Sequence, residues 1–302
     1  MLKRILILTA ALAMTFAAAA QTTTKSEDLV AFDSIEISND FEVTFHQADF
    51  YRVDWTYDTI LNDVVGVSVS GKTLHISLNK KGMSSELKKT YRGRNAPKPI
   101  LKATVYAPSF SNLTLSENAV FNAADNRIET DVFQLSVTDK AQVSRLSVGA
   151  DRAVITMDKD GKAALTLAAG QIDIRTARSS ALDLKQTSGT LNISAANTSV
   201  VTVSGDTEAM ATTTQNSSKV TVSGTASTLR HDGKGSSEVD VLNAPVQSAE
   251  VTMANSGKLY LSVSDTLRVD LKGGSSVYFS GEPQISVVNI VSSTLTRYTG
   301  KK

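Results

Sequence analysis

Apolar residues recur through this chain at an almost constant interval. Leu182, Val201, Val220, Val239, Leu259 and Tyr278 are separated by 19, 19, 19, 20 and 19 residues. Two residues before each stands a small one: Ser180, Ser199, Ser218, Ser237, Gly257 and Ser276. The pattern runs back through Ala163, Val143 and Phe121, preceded by Gly161, Ala141 and Ala119, in steps of 19, 20 and 22. A second alternating pair lies upstream of the early anchors, as Leu113/Leu115, Leu135/Val137 and Ile155/Met157, and again as Val251/Met253. Each unit therefore holds two short strands of period-two alternation. A unit of this length cannot bury its own apolar face, but copies stacked about 4.8 Å apart can. A sandwich or barrel also alternates, yet neither requires a fixed period. The expectation is an all-β, single-stranded β-helix with about 19–20 residues per coil. The small residue before each anchor then marks a corner where one coil passes close over the next.

The flanks read differently. Lys3 and Arg4 precede an apolar run from Ile5 to Ala13, and Ala18-Ala19-Ala20 precede Gln21. A positive start, a short apolar stretch and an A-x-A site predict a signal peptide over residues 1–20. The expected mature protein is then exported, to the periplasm, outer surface or extracellular medium, with no transmembrane segment. Cysteine is absent, which excludes disulfides, thiolate metal sites and a cysteine nucleophile. Lys plus Arg number 31 against 30 for Asp plus Glu, a balance that excludes the basic profile of a nucleic-acid binder.

Aromatics crowd into Phe32, Phe41, Phe45, Phe50, Tyr51, Trp55 and Tyr57 and are missing between Gln134 and Lys258. The repeat core must be narrow and aliphatic, and the aromatic region packed in another way. There, Phe41–Phe45 and Tyr51–Trp55 read as paired strands. Val67–Val69 and Leu74–Ile76, joined by Ser70-Gly71-Lys72-Thr73, read as a hairpin. The predicted layout is a linker over 21–30, an N-terminal strand and hairpin region over 31–106, a β-helix repeat over 107–291 and a tail over 292–302. No helix-period stretch appears after the signal.

One segment breaks the pattern. Residues 80–99 carry Lys80, Lys81, Lys88, Lys89, Arg92, Arg94 and Lys98 against one acid, Glu86. Opposite charge concentrated on one excursion of a near-neutral protein suits an anionic partner; a solvated loop is the plainer alternative. These seven residues are the candidate contact.

Several stretches resemble a known family: Phe32-Asp33-Ser34-Ile35-Glu36-Ile37-Ser38, Val43-Thr44-Phe45-His46-Gln47, Gly71-Lys72-Thr73-Leu74-His75-Ile76-Ser77, and Val105 to Leu115 with its Ala107-Pro108. Their order is similar to that in the head GIN domain family of auto-transporter adhesins, exported proteins of Bacteroidetes. The resemblance implies a right-handed parallel β-helix and an exported, envelope-associated role, and it implies no catalytic residues.

Catalytic and metal constellations are weak. A glycosidase needs two carboxylates about 5–9.5 Å apart. Glu117 and Asp139 stack on neighbouring coils, whereas Asp183 and Asp240 share a column three coils apart. With Lys159 and Arg178 continuing the first column, and Asn197, Asn216 and Asn255 beyond, surface ladders explain these residues. His46, His75 and His231 have no metal-ligand spacing, and no nucleotide-binding or nucleophile-elbow motif occurs. No catalytic residue, metal or cofactor is expected. The expected function is a non-enzymatic, adhesin-like binding or structural module of the cell envelope. Its candidate partners are an anionic glycan, lipopolysaccharide or an envelope protein. The alternative is a carbohydrate-active enzyme, a glycan lyase or hydrolase, on the same scaffold.

Overall fold

The structure is a computed structural model that describes residues 21–123 and 127–300; the expected signal peptide lies outside the described residues. The chain winds into a parallel β-solenoid of about 10 turns. Each coil presents two inward-facing columns. One runs Phe121, Val143, Ala163, Leu182, Val201, Val220, Val239, Leu259. The other runs Leu113, Leu135, Ile155, Ile174, Ile193, Thr212, His231, Val251, Val269. Alternation along a strand puts Val220 inside and Lys219 outside. The repeat thus sets the stacking register up to Leu259.

The next coil departs by one residue. Leu259 pairs with Val277, and Tyr278 faces outward, its ring stacked on Tyr260 at 4.8 Å between centroids. The Gly273-Gly274 turn, with both φ angles positive, shortens the coil, and Ser275 becomes the buried corner residue.

The corners have a common construction. Two successive residues with positive φ join the two strands of a coil, at Glu117-Asn118, Asp139-Lys140, Lys159-Asp160, Arg178-Ser179 and Asn197-Thr198. The small residue that follows is buried, and where it is a serine, as at Ser180 and Ser199 and at the later corners Ser218 and Ser237, its hydroxyl bonds back to the preceding coil. Ser218 Oγ donates to the Ala195 carbonyl at 3.0 Å, and Ser237 Oγ meets Thr214 Oγ1 at 2.8 Å. A buried hydroxyl is tolerated only with such a partner.

The N-terminal end is where the chain leaves sequence order. The first coil in the chain, Ser34–Ile37 and Glu42–Gln47, lies second in the stack. Outside it lies a coil made from Thr73–Leu78 and Leu101–Ala107; inside it lies one made from Asn112–Leu115 and Val120–Ala123. The expected pairing of Phe41–Phe45 with Tyr51–Trp55 is therefore not formed. Leu101–Ala107 inserts between them, parallel to Glu42–Gln47 and antiparallel to Arg52–Asp58. The hairpin forms as expected, with Val69 opposite Leu74 and positive φ at Gly71 and Lys72. The expected linker over 21–30 instead holds the strand Thr22–Asp28, antiparallel to Arg52–Asp58. The aromatics do not form a separate unit: Phe41, Phe45, Phe110, Phe121 and Phe133 continue the solenoid core, with Phe110 edge-on to Phe45 and Phe121.

At the other end the expected tail over 292–302 carries the strand Thr294–Arg297, which extends the ladder from Ser276–Ser280. Its neighbour Gln284–Val291 stacks on the preceding coil but leaves Ile285, Val287, Val288, Ile290 and Val291 exposed. Among the described residues no helix is long and apolar enough to cross a membrane.

Candidate basic pocket

The basic excursion replaces one of the corner turns. In the outermost coil Thr73–Leu78 and Leu101–Ala107 are joined not by two residues but by the whole segment between them. That places it beside the corner of the next coil, Asn39-Asp40, where both φ angles are positive. Lys80 reaches across this boundary: its ammonium lies 3.2 Å from Asp40 Oδ2 and 3.2 Å from Glu117 Oε2.

The segment is not a plain loop. It contains the helix Ser85–Thr90, which the absence of a helical period had hidden. Ser84 Oγ accepts from Leu87 N at 3.1 Å, Glu86 lies in the first turn, and Lys88 and Lys89 lie in the last. That combination of an N-cap serine with charges complementing the helix dipole is the sequence signal that marks it. After the helix, the Tyr91 hydroxyl donates to Asp58 Oδ2 at 2.7 Å, and Ile100 N donates to the same oxygen at 3.2 Å. Burial, with the carboxylate beside it, raises the Tyr91 phenol above its ordinary pKa. The middle of the excursion and its C-terminal end are thereby tied to one buried carboxylate, while Lys80 holds its N-terminal end to Asp40 and Glu117.

The folded excursion and the adjoining Asp40 and Leu78 enclose an open pocket of about 560 Å³. Of the seven candidate residues, Lys80, Lys88, Arg94 and Lys98 line it; Lys81, Lys89 and Arg92 are exposed but do not. Lys80 is neutralised by Asp40, which also lines the pocket. The side chains of Lys88, Arg94 and Lys98 have no hydrogen-bond or ion-pair partner among the described residues. Three unpaired cations therefore converge on one concavity. Its floor is apolar: Leu78 and Met83 are buried, and Tyr91, Pro97 and Pro99 complete it. Charge alone marks the cations in the sequence, but nothing there ties Asp40, Leu78 and Met83 to them.

Several carboxylates elsewhere are matched by cations. Asp139 holds Lys159 at 3.2 Å, Asp158 holds Arg178, and Glu117 accepts from Lys80 and Asn39. Hydrogen bonds from the flanking side chains keep Asp139 and Asp158 below the usual carboxylate pKa. Stacked Asn216 donates to Asn197, as a corner ladder requires. His75 sits 3.1 Å from Glu36, His46 stacks on Tyr106, and His231 is buried. Among the described residues no cluster of three or more His, Asp or Glu could hold a metal ion.

The solved structures similar to this chain include a putative adhesin from Parabacteroides merdae, 13% identical and covering 92% of this chain and 97% of its own, with a TM-score of 0.49. A putative adhesin from Parabacteroides distasonis is 15% identical over 92% and 98%, also at 0.49. A putative lipid-binding protein from the same species is 15% identical over 92% and 97%, at 0.46. No curated protein matches the sequence. The family described as putative auto-transporter adhesin, head GIN domain, matches residues 31–187 and 172–283. Those two overlapping matches cover every coil of the solenoid but the one that begins at Gln284, and the chain belongs to this family.

Proposed function

We infer that the protein is an exported, adhesin-like binding module of the bacterial cell envelope, acting by contact and not by catalysis, and that its basic pocket receives an anionic group. The observation that carries this reading is the convergence of Lys88, Arg94 and Lys98 on one concavity without a carboxylate partner. Several surface charges on the solenoid wall are paired off, as in Lys219–Glu238 at 3.2 Å and the Asp139–Lys159 corner pair; here three cations share one pocket instead. Family membership and the solenoid fold support an adhesin-like binding or structural role. Phosphates or carboxylates of an anionic glycan, lipopolysaccharide or envelope protein supply the matching charge.

The test is retention of residues 21–302 on lipopolysaccharide and acidic-glycan surfaces, at low and physiological salt. Changing Lys88, Arg94 and Lys98 together to Ser should abolish most of the retention. Changing Lys81, Lys89 and Arg92 to Ser removes the same charge from the same segment and should preserve most of it. Raised salt should weaken binding, since exposed charges are screened beyond about 8 Å at physiological ionic strength. No retention of the wild type at low salt, or equal retention of both triple variants, overturns the reading. Digestion of the protein by protease added to intact cells is the expected result for surface exposure.

A further inference from the structure

The geometry points to an amphiphilic anion as the ligand of this pocket: one phosphate or carboxylate carried next to an apolar chain. The inference rests on the anion-binding reading and deepens it. Pockets of roughly 300–1,000 Å³ are typical of small-molecule sites, and at about 560 Å³ this one far exceeds the room a single phosphate needs. A wholly polar ligand would meet Lys88, Arg94 and Lys98 but leave the exposed Pro97 and the half-buried Tyr91, Ala96 and Pro99, which overlie the buried Leu78 and Met83, under water. A neutral apolar ligand would cover that floor and leave three cations unmatched. Only a ligand with both characters satisfies both halves.

The walls are built to keep that shape. Tyr91 is pinned through its hydroxyl to Asp58. Pro97 and Pro99 have fixed φ angles, and the helix start is closed by Ser84. Asp40 does not repel an anion, because Lys80 occupies it.

Calorimetric titration of residues 21–302 with inorganic phosphate, butyl phosphate, octyl phosphate below its micellar concentration, and neutral octyl glucoside tests this. Each buried methylene adds roughly fourfold in affinity, equivalent to about 0.8 kcal/mol. Octyl phosphate should therefore bind at least about tenfold more tightly than inorganic phosphate, with butyl phosphate between them and octyl glucoside silent. Met83→Gln should weaken octyl phosphate and leave inorganic phosphate unchanged. If Met83→Gln melts early, Ala96→Glu, half-buried and outside any strand, replaces it and should weaken both alkyl phosphates. Co-sedimentation with phosphatidylglycerol vesicles, in addition to binding of monomeric octyl phosphate, would support the inference and identify a lipid surface as the source; binding of the monomer alone supports it with a free amphiphile as the source. Equal affinity for inorganic and octyl phosphate overturns the inference while anion binding stands. Silence from every phosphate, or octyl glucoside matching octyl phosphate, overturns both.

Discussion

Tyr91 donates its hydroxyl to Asp58 across 33 residues of sequence, at 2.7 Å, and so ties the basic excursion to the capping strand Arg52–Asp58. Asp58 is buried, and its Oδ1 has no hydrogen-bond partner among the described residues. Tyr91→Phe would leave the carboxylate with Ile100 N alone. Stability should fall by about 1–3 kcal/mol, the cost of an unmatched buried polar group. Trypsin should then cut more readily around Lys88 to Lys98. Denaturant unfolding and timed proteolysis check this. A variant that unfolds and cleaves like the wild type would show that the bond does not hold the excursion.

Val269 and Val287 are register partners in one inward column, but only Val269 has a coil on both sides. Val269 is 0% exposed and Val287 53%. Val269→Lys buries an unpaired charge and should cost upwards of about 4 kcal/mol or abolish folding. Val287→Lys should stay within about 1 kcal/mol of wild type, since its side chain already meets solvent. Thermal melts of the two variants measure the difference. A comparable loss in both would mean that the C-terminal end is covered.

Much of this architecture was legible because a parallel coil repeats its own chemistry. Ser218 and Val220 stand at the same corner and column as Ser199 and Val201, so one period sets every contact between them. The reading failed where a coil changes length, as at Gly273-Gly274, which moves the column from Tyr278 to Val277. It failed again where stacking order departs from chain order. Nothing local to Glu42–Gln47 says that its neighbour is Leu101–Ala107 and not Arg52–Asp58, since all three alternate equally well. The site divides in the same way. Charge identified Lys88, Arg94 and Lys98, but the pocket also needs Asp40 from the adjacent coil and the apolar Leu78 and Met83, which sequence alone assigns to the core.

His231 makes stability depend on pH in a definite direction. It lies in the inward column between Thr212 and Val251, with Nδ1 2.8 Å from Thr212 Oγ1, and burial lowers its pKa from 6.5 to about 4. Between those values the unfolded chain takes up a proton that the folded chain refuses. Stability should therefore fall as pH drops from about 6.5 towards 4, by roughly 3 kcal/mol in all, and this contribution should level off below 4. His231→Val, which continues the column as Val251 does, should remove that slope. Urea unfolding at pH 7, 5.5 and 4 measures it. An unchanged slope in the variant would assign the effect to other groups.

Gly205 and Gly71 both have positive φ, at +119° and +56°, but in different surroundings. Gly71 sits in the exposed hairpin turn with nothing within 4 Å of a built Cβ. Gly71→Ala should therefore cost only the backbone penalty, about 1–2 kcal/mol. Gly205 lies where one coil crosses the next, and a Cβ there would collide with the Gln186 carbonyl oxygen. Its φ also lies in a region that side chains rarely adopt. Gly205→Ala must push apart neighbouring coils that are joined by backbone hydrogen bonds, including Ser188 N to Asp206 O at 3.0 Å. The cost should exceed about 3 kcal/mol, and hydrogen exchange should accelerate in the strands Ala181–Ala196 and Val200–Ser204 before it does elsewhere. If Gly205→Ala is no more destabilising than Gly71→Ala, close approach of the coils at this corner is not what the glycine provides.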